Sequence, residues 1–427
     1  MTLVIFLGAL FSGMALGMPI AFALLLSGIC LMFYLDIFST QIIAQNVIQA
    51  ANDFSLMAIP FFILAGELMN AGGISKRIVT FAMTLVGHVR GGLGYVTIIA
   101  SVLFAGLSGS AVADTAALGA ILIPMMIKAG YDKKRAIALV PSSGIIACII
   151  PPSIPMIIFG VTSGVSITQL FMAGIVPGIM MAGGLAIAWW LITRKDTNIE
   201  VLPKRTKKEV LSATKQAIWA LLLPVILICG LRFGVFTPTE GGAVAAFYAL
   251  FVGVFVYREL EIKNLYELLK NSARTTSIVM FLASGSLVAA WLIALANIPG
   301  TITDLIGPLV ENKLLLLIVI NILVLLVGTA MDLLPTVLIL TPVLMPVVTA
   351  AGIDPVYFGL LFVINISIGL ITPPVGSVLN VACGIGKINM EDITKGLMPF
   401  FLVQIIVLLL LILFPQIVTI PVEWMTD

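Results

Sequence analysis

Four places in this chain join a break in helical backbone to small, oxygen-bearing residues. They are Ser108-Gly109-Ser110, Pro151-Pro152-Ser153, Gly328-Thr329-Ala330-Met331-Asp332 and Thr372-Pro373-Pro374, each inside a long apolar stretch. Proline lacks an N–H, so a Pro-Pro pair cuts the helical hydrogen-bond ladder and leaves carbonyls without partners. In a hydrocarbon environment those carbonyls are tolerated only where they line a protein cavity or hold an ion. Free carbonyls, Ser and Thr hydroxyls and a carboxylate are the hard oxygen ligands that a sodium ion takes from broken helices. The set occurs twice, as Ser108, Gly109, Ser110, Pro151 and Ser153, and as Gly328, Thr329, Asp332, Thr372 and Pro373. Two sodium ions are therefore expected. Any one of these breaks alone reads better as a simple kink, and it is the fourfold, symmetric occurrence that favours function.

The polar residues near the breaks extend this reading. Helices that start after each tip would point positive partial charge at an anion held between the tips. Ser108 and Ser110 are candidates to touch such a substrate, along with Asp114, a turn beyond the first tip, and Asn365 and Asn380, which flank the second kink. Asp114 either serves the same cavity or is neutral and hydrogen-bonded. The two asparagines either orient substrate or satisfy stray carbonyls. Acids inside apolar spans are costly and functional by default, and Asp332 is the strongest of them. Glu67 is open between a structural bond and a proton site. Glu240 reads differently: Thr237-Pro238-Thr239-Glu240 has the spacing of a capping box with proline at the first helical position, a structural cap opening the span Gly241 to Tyr257.

The elements that must position these residues follow from composition. Of 427 residues, 61% are apolar and only 10% charged, with a mean hydropathy of +1.21, more hydrophobic surface than a soluble core can hide. The chain reads as an all-α polytopic membrane protein. Apolar spans fall near 2–16, 19–35, 54–75, 134–164, 167–192, 214–232, 239–257, 276–296, 355–386 and 393–415, with two further stretches, 92–128 and 314–350, interrupted at their middles by the two tips. Each of those two is either a pair of full spans or one re-entrant hairpin.

Charge fixes orientation. With the N-terminus outside, all of the 22 Lys and Arg except Arg232 and Lys313 fall on the cytoplasmic side. Both termini are then periplasmic, in a bacterial inner membrane. The hairpins are supported by an internal repeat. At an offset of 222 positions, 12 of the 54 residues from Pro124 to Pro177 match Pro346 to Pro399 without a gap, and seven of the 12 are Gly or Pro. The tips Gly109-Ser110-Ala111 and Gly328-Thr329-Ala330 align too, with a three-residue slip. Five spans plus one hairpin per half is an odd number of crossings, which inverts the second copy relative to the first, an architecture of secondary transporters. The halves are 1–193, with hairpin 92–128 and broken helix 134–164, and 216–427, with an amphipathic surface helix 258–274, hairpin 314–350 and broken helix 355–386. A basic cytoplasmic linker, 194–215, joins them.

Several function classes are poorly supported. Cys30, Cys148, Cys229 and Cys383 lie in apolar stretches without CxxC spacing, and His88 is the only histidine, which argues against zinc, haem, disulfides and Cys/His catalysis. No GxxxxGK[ST] loop is present for ATP, and no Ser/His/Asp set. The basic residues form no aromatic-flanked stripe for nucleic acid. An enzyme is not expected. An ion channel with a hairpin filter and a proton-coupled carrier are the alternatives to a sodium-coupled one.

Taken in order, Met18-Pro19-Ile20-Ala21-Phe22, Ala58-Ile59-Pro60-Phe61-Phe62 with Gly66-Glu67-Leu68, Gly106-Leu107-Ser108-Gly109-Ser110, Ile150-Pro151-Pro152-Ser153 and Phe236-Thr237-Pro238-Thr239-Glu240 resemble the large membrane subunit of tripartite ATP-independent periplasmic transporters over essentially the whole chain. The resemblance implies an elevator-type carrier whose moving domain holds both hairpins and which takes up organic acids on a sodium gradient. Sialic acid is favoured as substrate and a C4-dicarboxylate is next. It also implies two partners, a small four-helix membrane subunit and a soluble periplasmic substrate-binding protein. No Arg lies at mid-membrane depth to clamp a carboxylate, so the anion would be held by hairpin N-termini, hydroxyls and sodium.

Overall fold

A computed structural model of the chain describes residues 1–194, 201–298, 300 and 312–426. Those residues form helices joined by turns and short breaks, with no strand among them. The chain opens with α1 (Thr2–Ala15) and α2 (Ile20–Tyr34), which pack on each other across the turn at Gly17, where φ is +80°. Next come α3 (Thr40–Ala51), α4 (Ala58–Ala71) and α5 (Ile74–Val86). Of these the sequence reading foresaw only α4. The α3 helix is opened by Ser39, whose hydroxyl accepts the Ile42 N–H, and it meets the following helix at a bend of 53°.

The first hairpin is α6 (Gly92–Ser108) and α7 (Ala111–Lys128); the broken helix that follows is α8 (Lys133–Gly144) and α9 (Ile154–Ser163), and α10 (Ile167–Thr193) closes the unit. After it, α11 (Lys207–Arg232), α12 (Pro238–Phe251, continued by a wider turn to Val256) and the 34-residue α13 (Ile262–Leu295) lead to the second unit. There the hairpin is α14 (Lys313–Ala330) and α15 (Leu333–Ala350), the broken helix is α16 (Pro355–Gly369) and α17 (Ser377–Gly386), and α18 (Met390–Leu413) is followed by α19 (Gln416–Thr426).

Eight helices among the described residues are long and apolar enough to span a membrane. Three of them are hairpin arms. Five, at α10, α11, α12, α13 and α18, match expected spans, whereas α1, α2 and α4 are shorter helices of 14 or 15 residues and each broken helix consists of two short pieces.

The structure changes two expectations about the elements. No separate surface helix forms at 258–274. Arg258 turns with φ +55° and α13 then runs unbroken from Ile262, because no proline and, before Gly285, no glycine interrupts it. At about 1.5 Å per residue it exceeds a hydrocarbon core of about 30 Å, so its charged first turns stand clear of lipid. The linker is shorter than 194–215, since Thr206 and Glu209 close a capping box that starts α11 at Lys207. Residues 195–200 of that linker lie outside the described residues. All four cysteines are free; Cys148 is buried, and Cys229 is exposed on α11.

The two units repeat at the level of backbone. At the same offset of 222, the bounds of α7 (111–128) coincide with those of α15 (333–350), and the start of α8 at 133 with that of α16 at 355. Asp132 and Asp354 cap the equivalent helices, accepting the Arg135 and Tyr357 N–H groups at 2.9 and 2.7 Å. Both Pro-Pro bonds, Pro151-Pro152 and Pro373-Pro374, are cis. The tips obey the same offset. Ser110 is the N-cap of α7 and Asp332 the N-cap of α15, so the three-residue slip is corrected: matching Gly109-Ser110-Ala111 to Gly328-Thr329-Ala330 followed residue identity, whereas the conserved role is capping, which Ser and Asp share.

Packing between the units is reciprocal. The α7 helix packs on α17 while α15 packs on α9, and α8 packs on α18 while α16 packs on α10. Exchange of partners in this way is what a two-fold relation produces. Gly174 and Gly396, an equivalent pair, let α10 and α18 pass directly over the Ile149 carbonyl and the Lys134 carbonyl.

Outside the repeat, the capping box at Thr237 and Glu240 ties α12 down. Glu240 accepts the Thr237 N–H at 2.7 Å, Thr237 Oγ1 accepts the Glu240 N–H at 3.3 Å, and Thr239 donates to the Phe54 carbonyl at 3.1 Å. Thr237→Ala is expected to cost about 1 kcal/mol, lowering the Tm of the purified protein by a few degrees while leaving substrate transport intact.

Candidate functional site

Both tips converge on one cavity of about 360 Å³. The first hairpin contributes Ser108, Gly109 and Ser110 with the opening turn of α7, and the second contributes Asp332, Leu333 and Leu334. The start of α9, at Ile154 and Pro155, lies between them. Three helix N-termini therefore border the space, each with N–H groups and a positive partial charge directed to its rim. No Lys, Arg or His among the described residues lines it. Pockets of roughly 300–1,000 Å³ suit small organic molecules.

Tip 1 sits on the break of its own unit. Gly109 has φ +61°, and a Cβ there would lie 2.6 Å from the Pro152 carbonyl oxygen. Its conformation and its clearance both require glycine. Because the tip meets the break midway along another helix, α6 and α7 are the two arms of a re-entrant hairpin. Ser153 caps α9, accepting the Met156 N–H at 3.3 Å and donating to the Cys148 carbonyl at 2.5 Å. Ser108 donates to Asp114 and accepts from the Ser110 N–H at 3.2 Å. Ser108, Gly109, Ser110, Pro151 and Ser153 thus meet in one locality.

Tip 2 sits on the other break in the same manner. A Cβ on Gly369, at the end of α16, would lie 2.8 Å from the Gly328 backbone, so the two glycines let the helices touch. Asp332 is exposed to the cavity and accepts from Ser377 Oγ at 3.2 Å, joining the tip to the start of α17. Thr329 and Thr372 spend their hydroxyls on their own helices, donating to the Leu326 and Ile368 carbonyls at 2.8 Å. Pro373 follows Thr372 into the break. The two halves differ in charge: a carboxylate stands at tip 2 where tip 1 has a hydroxyl.

The substrate candidates divide. Ser108 and Ser110 line the cavity; Asp114, Asn365 and Asn380 do not. Asp114 is wholly buried behind tip 1, bonded to Ser108, with Oδ2 unpartnered among the described residues. Asn365 is buried where α16 meets α14, donating to the Asn321 backbone and side-chain oxygens at 2.6 and 2.7 Å. Asn380 is exposed and closes a local bond to the Val375 carbonyl at 2.7 Å. Two polar residues that the sequence did not connect with the tips, Glu67 and Asn70 of α4, do line the space, as does Thr275 of α13. Ile63, Gly66, Glu67 and Asn70 follow helical spacing along one face, a signal visible in the sequence once that face is known to be wet.

With this geometry, comparison with known proteins is decisive. Residues 7–417 match the family model described as tripartite ATP-independent periplasmic transporter, DctM component. The chain belongs to that family. DctM-family relatives include the 2,3-diketo-L-gulonate large permease YiaN of Escherichia coli, 55% identical over 424 residues that cover 99% of this chain and 100% of the relative. The sialic acid large permease SiaM of Vibrio cholerae is 40% identical over 410 residues, 96% of this chain and 95% of its own. The fold is similar to the crystal structure of the Alcanivorax borkumensis YdaH transporter, with a TM-score of 0.66 at 15% identity, covering 89% of this chain and 88% of that one. This DctM-family chain is thus the membrane permease component of a tripartite transporter for organic acids and not an enzyme.

Proposed function

We propose that this permease couples inward sodium movement to uptake of a sugar-derived keto acid across the bacterial inner membrane, by an elevator motion of the two hairpins and broken helices against the remaining helices. Convergence of both tips and three helix N-termini on one cavity with no cationic side chain among its described lining residues is the observation that carries this reading. An anion there needs positive charge from dipoles and bound cations. Sodium would be held at tip 1 by oxygens of Ser108, Gly109, Ser110, Pro151 and Ser153, and at tip 2 by those of Gly328, Thr329, Asp332, Thr372 and Pro373.

Sialic acid, favoured by the sequence resemblance, gives place to the wider class it shares with 2,3-diketo-L-gulonate, the polyhydroxylated keto acids, with the diketogulonate first because its permease is the more similar of the two. C4-dicarboxylate stands behind both. The partners are a small membrane subunit and a periplasmic binding protein, with both termini of this chain on the periplasmic side. Two Na⁺ entering with one monoanion at 100 mV and a tenfold gradient supply about 5 kcal/mol, enough for accumulation of several thousand-fold without ATP.

Proteoliposomes containing the permease and its small subunit, with binding protein outside, test this. Labelled 2,3-diketo-L-gulonate is expected to accumulate only with binding protein and an inward sodium gradient, and to leak out when the gradient is collapsed. Equal accumulation on a proton gradient without sodium would contradict the coupling.

A further inference from the structure

The α4 wall of the cavity holds a polar pair that neither the tips nor the ion ligands explain. Glu67 makes no hydrogen bond or ion pair among the described residues. An unpaired carboxylate at a cavity inside a membrane protein is expensive to keep. Asn70, one turn on, is different in that its orientation is fixed: Ser75 Oγ, largely buried, donates to Asn70 Oδ1 at 2.7 Å. That bond uses the carbonyl end of the amide and leaves the NH₂ as a donor with no partner among the described residues, on a residue that lines the cavity. On the same face α4 runs close beside tip 1: a Cβ added at Gly66 would lie 3.7 Å from Ser108 Cα.

The cavity therefore offers one wall with an unengaged acceptor and a fixed donor a single turn apart, on a space that helix N-termini also border. We infer that Glu67 and Asn70 are specificity-determining residues that read substrate hydroxyl and keto groups and select polyhydroxylated monoacids against dicarboxylates. A carboxylate accepts hydroxyl donors, and an amide NH₂ donates to a keto or hydroxyl oxygen. A monoanion can turn its single charge to the N-termini and present hydroxyls to α4. A dicarboxylate of similar length must set its second charge against Glu67, where no Lys, Arg or His among the described residues compensates it. Sodium at tip 2 would offset Asp332 and would leave Glu67 uncompensated. Discrimination of this kind works by repulsion of the wrong ligand as much as by attraction of the right one, and sites built to hydrogen-bond a hydroxyl reject analogues without it most strongly.

This inference rests on the proposed transport of an organic acid, and its test separates the two. Binding is measured on the purified permease with its small subunit in sodium buffer, without binding protein, so that only the cavity selects. The ligands are 2,3-diketo-L-gulonate, D-gluconate, hexanoate and succinate. Wild type is expected to bind the two polyhydroxylated acids at least tenfold more tightly than hexanoate or succinate. Glu67→Gln is expected to lower that preference over succinate about tenfold, mainly by tighter succinate binding. Asn70→Leu should weaken the polyhydroxylated acids about tenfold and leave hexanoate unchanged. Ser75→Ala, which frees the Asn70 amide without altering the lining, should weaken them several-fold, and it serves as the second variant if Asn70→Leu does not fold. Binding ratios unchanged in Glu67→Gln and Ser75→Ala, with wild-type binding present, would overturn the α4 wall and leave transport standing. Absence of binding of every acid by wild type would remove the transport reading and the inference with it.

Discussion

Asp332→Ser is expected to lower sodium-driven uptake at least 100-fold while leaving the Tm of the purified protein within about 1 °C of wild type. The two effects separate because Asp332 has two separable roles. It caps α15, and it places the one carboxylate of either tip at the cavity. Serine caps a helix about as well as aspartate does, and Ser110 fills the equivalent cap in tip 1. The substitution therefore makes tip 2 resemble tip 1, removing the charge together with the carboxylate that accepts from the exposed Ser377 hydroxyl. Asp332→Ala removes the cap too and should cost about 1 kcal/mol of stability beyond the serine variant, with the same loss of uptake. Uptake by Asp332→Ser at more than a third of the wild-type rate would show that the carboxylate takes no part in ion binding. Thermal unfolding followed in detergent, beside initial rates in proteoliposomes, provides both readings.

Gly109→Val should also reduce uptake by about 100-fold, for a steric reason. The residue has φ +61°, and the added Cβ falls 2.6 Å from the Pro152 oxygen, so tip 1 must lift away from the break that it closes. Gly164→Val is the control. It shares a left-handed backbone, with φ +73°, but its Cβ would meet nothing within 4 Å. Strain at such a position alone costs about 1–2 kcal/mol, so Gly164→Val should lower stability modestly and keep most of the uptake. Equal losses in the two variants would mean that backbone strain matters and docking of the tip does not.

Most of what positions the site was legible because it depends on residues with few substitutes. Proline at 151, 152, 373 and 374 and glycine at 130, 164, 174, 352, 386 and 396 are fixed by backbone geometry, so they mark the repeat although most of the surrounding side chains have diverged. The register of the tips was harder to read, since capping accepts Ser or Asp equally and identity drifted there. The α3 and α5 helices escaped because each is short and carries no long apolar run of its own, and the α13 helix was divided in two where a change from charged to apolar composition left the backbone unbroken.

Roles that depend on tertiary contact were beyond the chain's linear order. Asn365 reads as a site residue until Asn321, 44 positions away, is found holding its amide. Glu67 and Asn70 join the site only when α4 is seen to face tip 1.

The central claim is that one cavity moves sodium and an organic anion together, and the reversal potential of transport tests it most directly. In proteoliposomes with fixed sodium and substrate gradients, the membrane voltage at which net flux of labelled 2,3-diketo-L-gulonate vanishes gives the charge and the ions moved per cycle. Two Na⁺ per monoanion predicts one net positive charge inward and a shift of about 120 mV for each tenfold change in the sodium gradient, each ion contributing as the electrical and concentration terms require. A substrate flux whose reversal does not move with the sodium gradient would contradict the account.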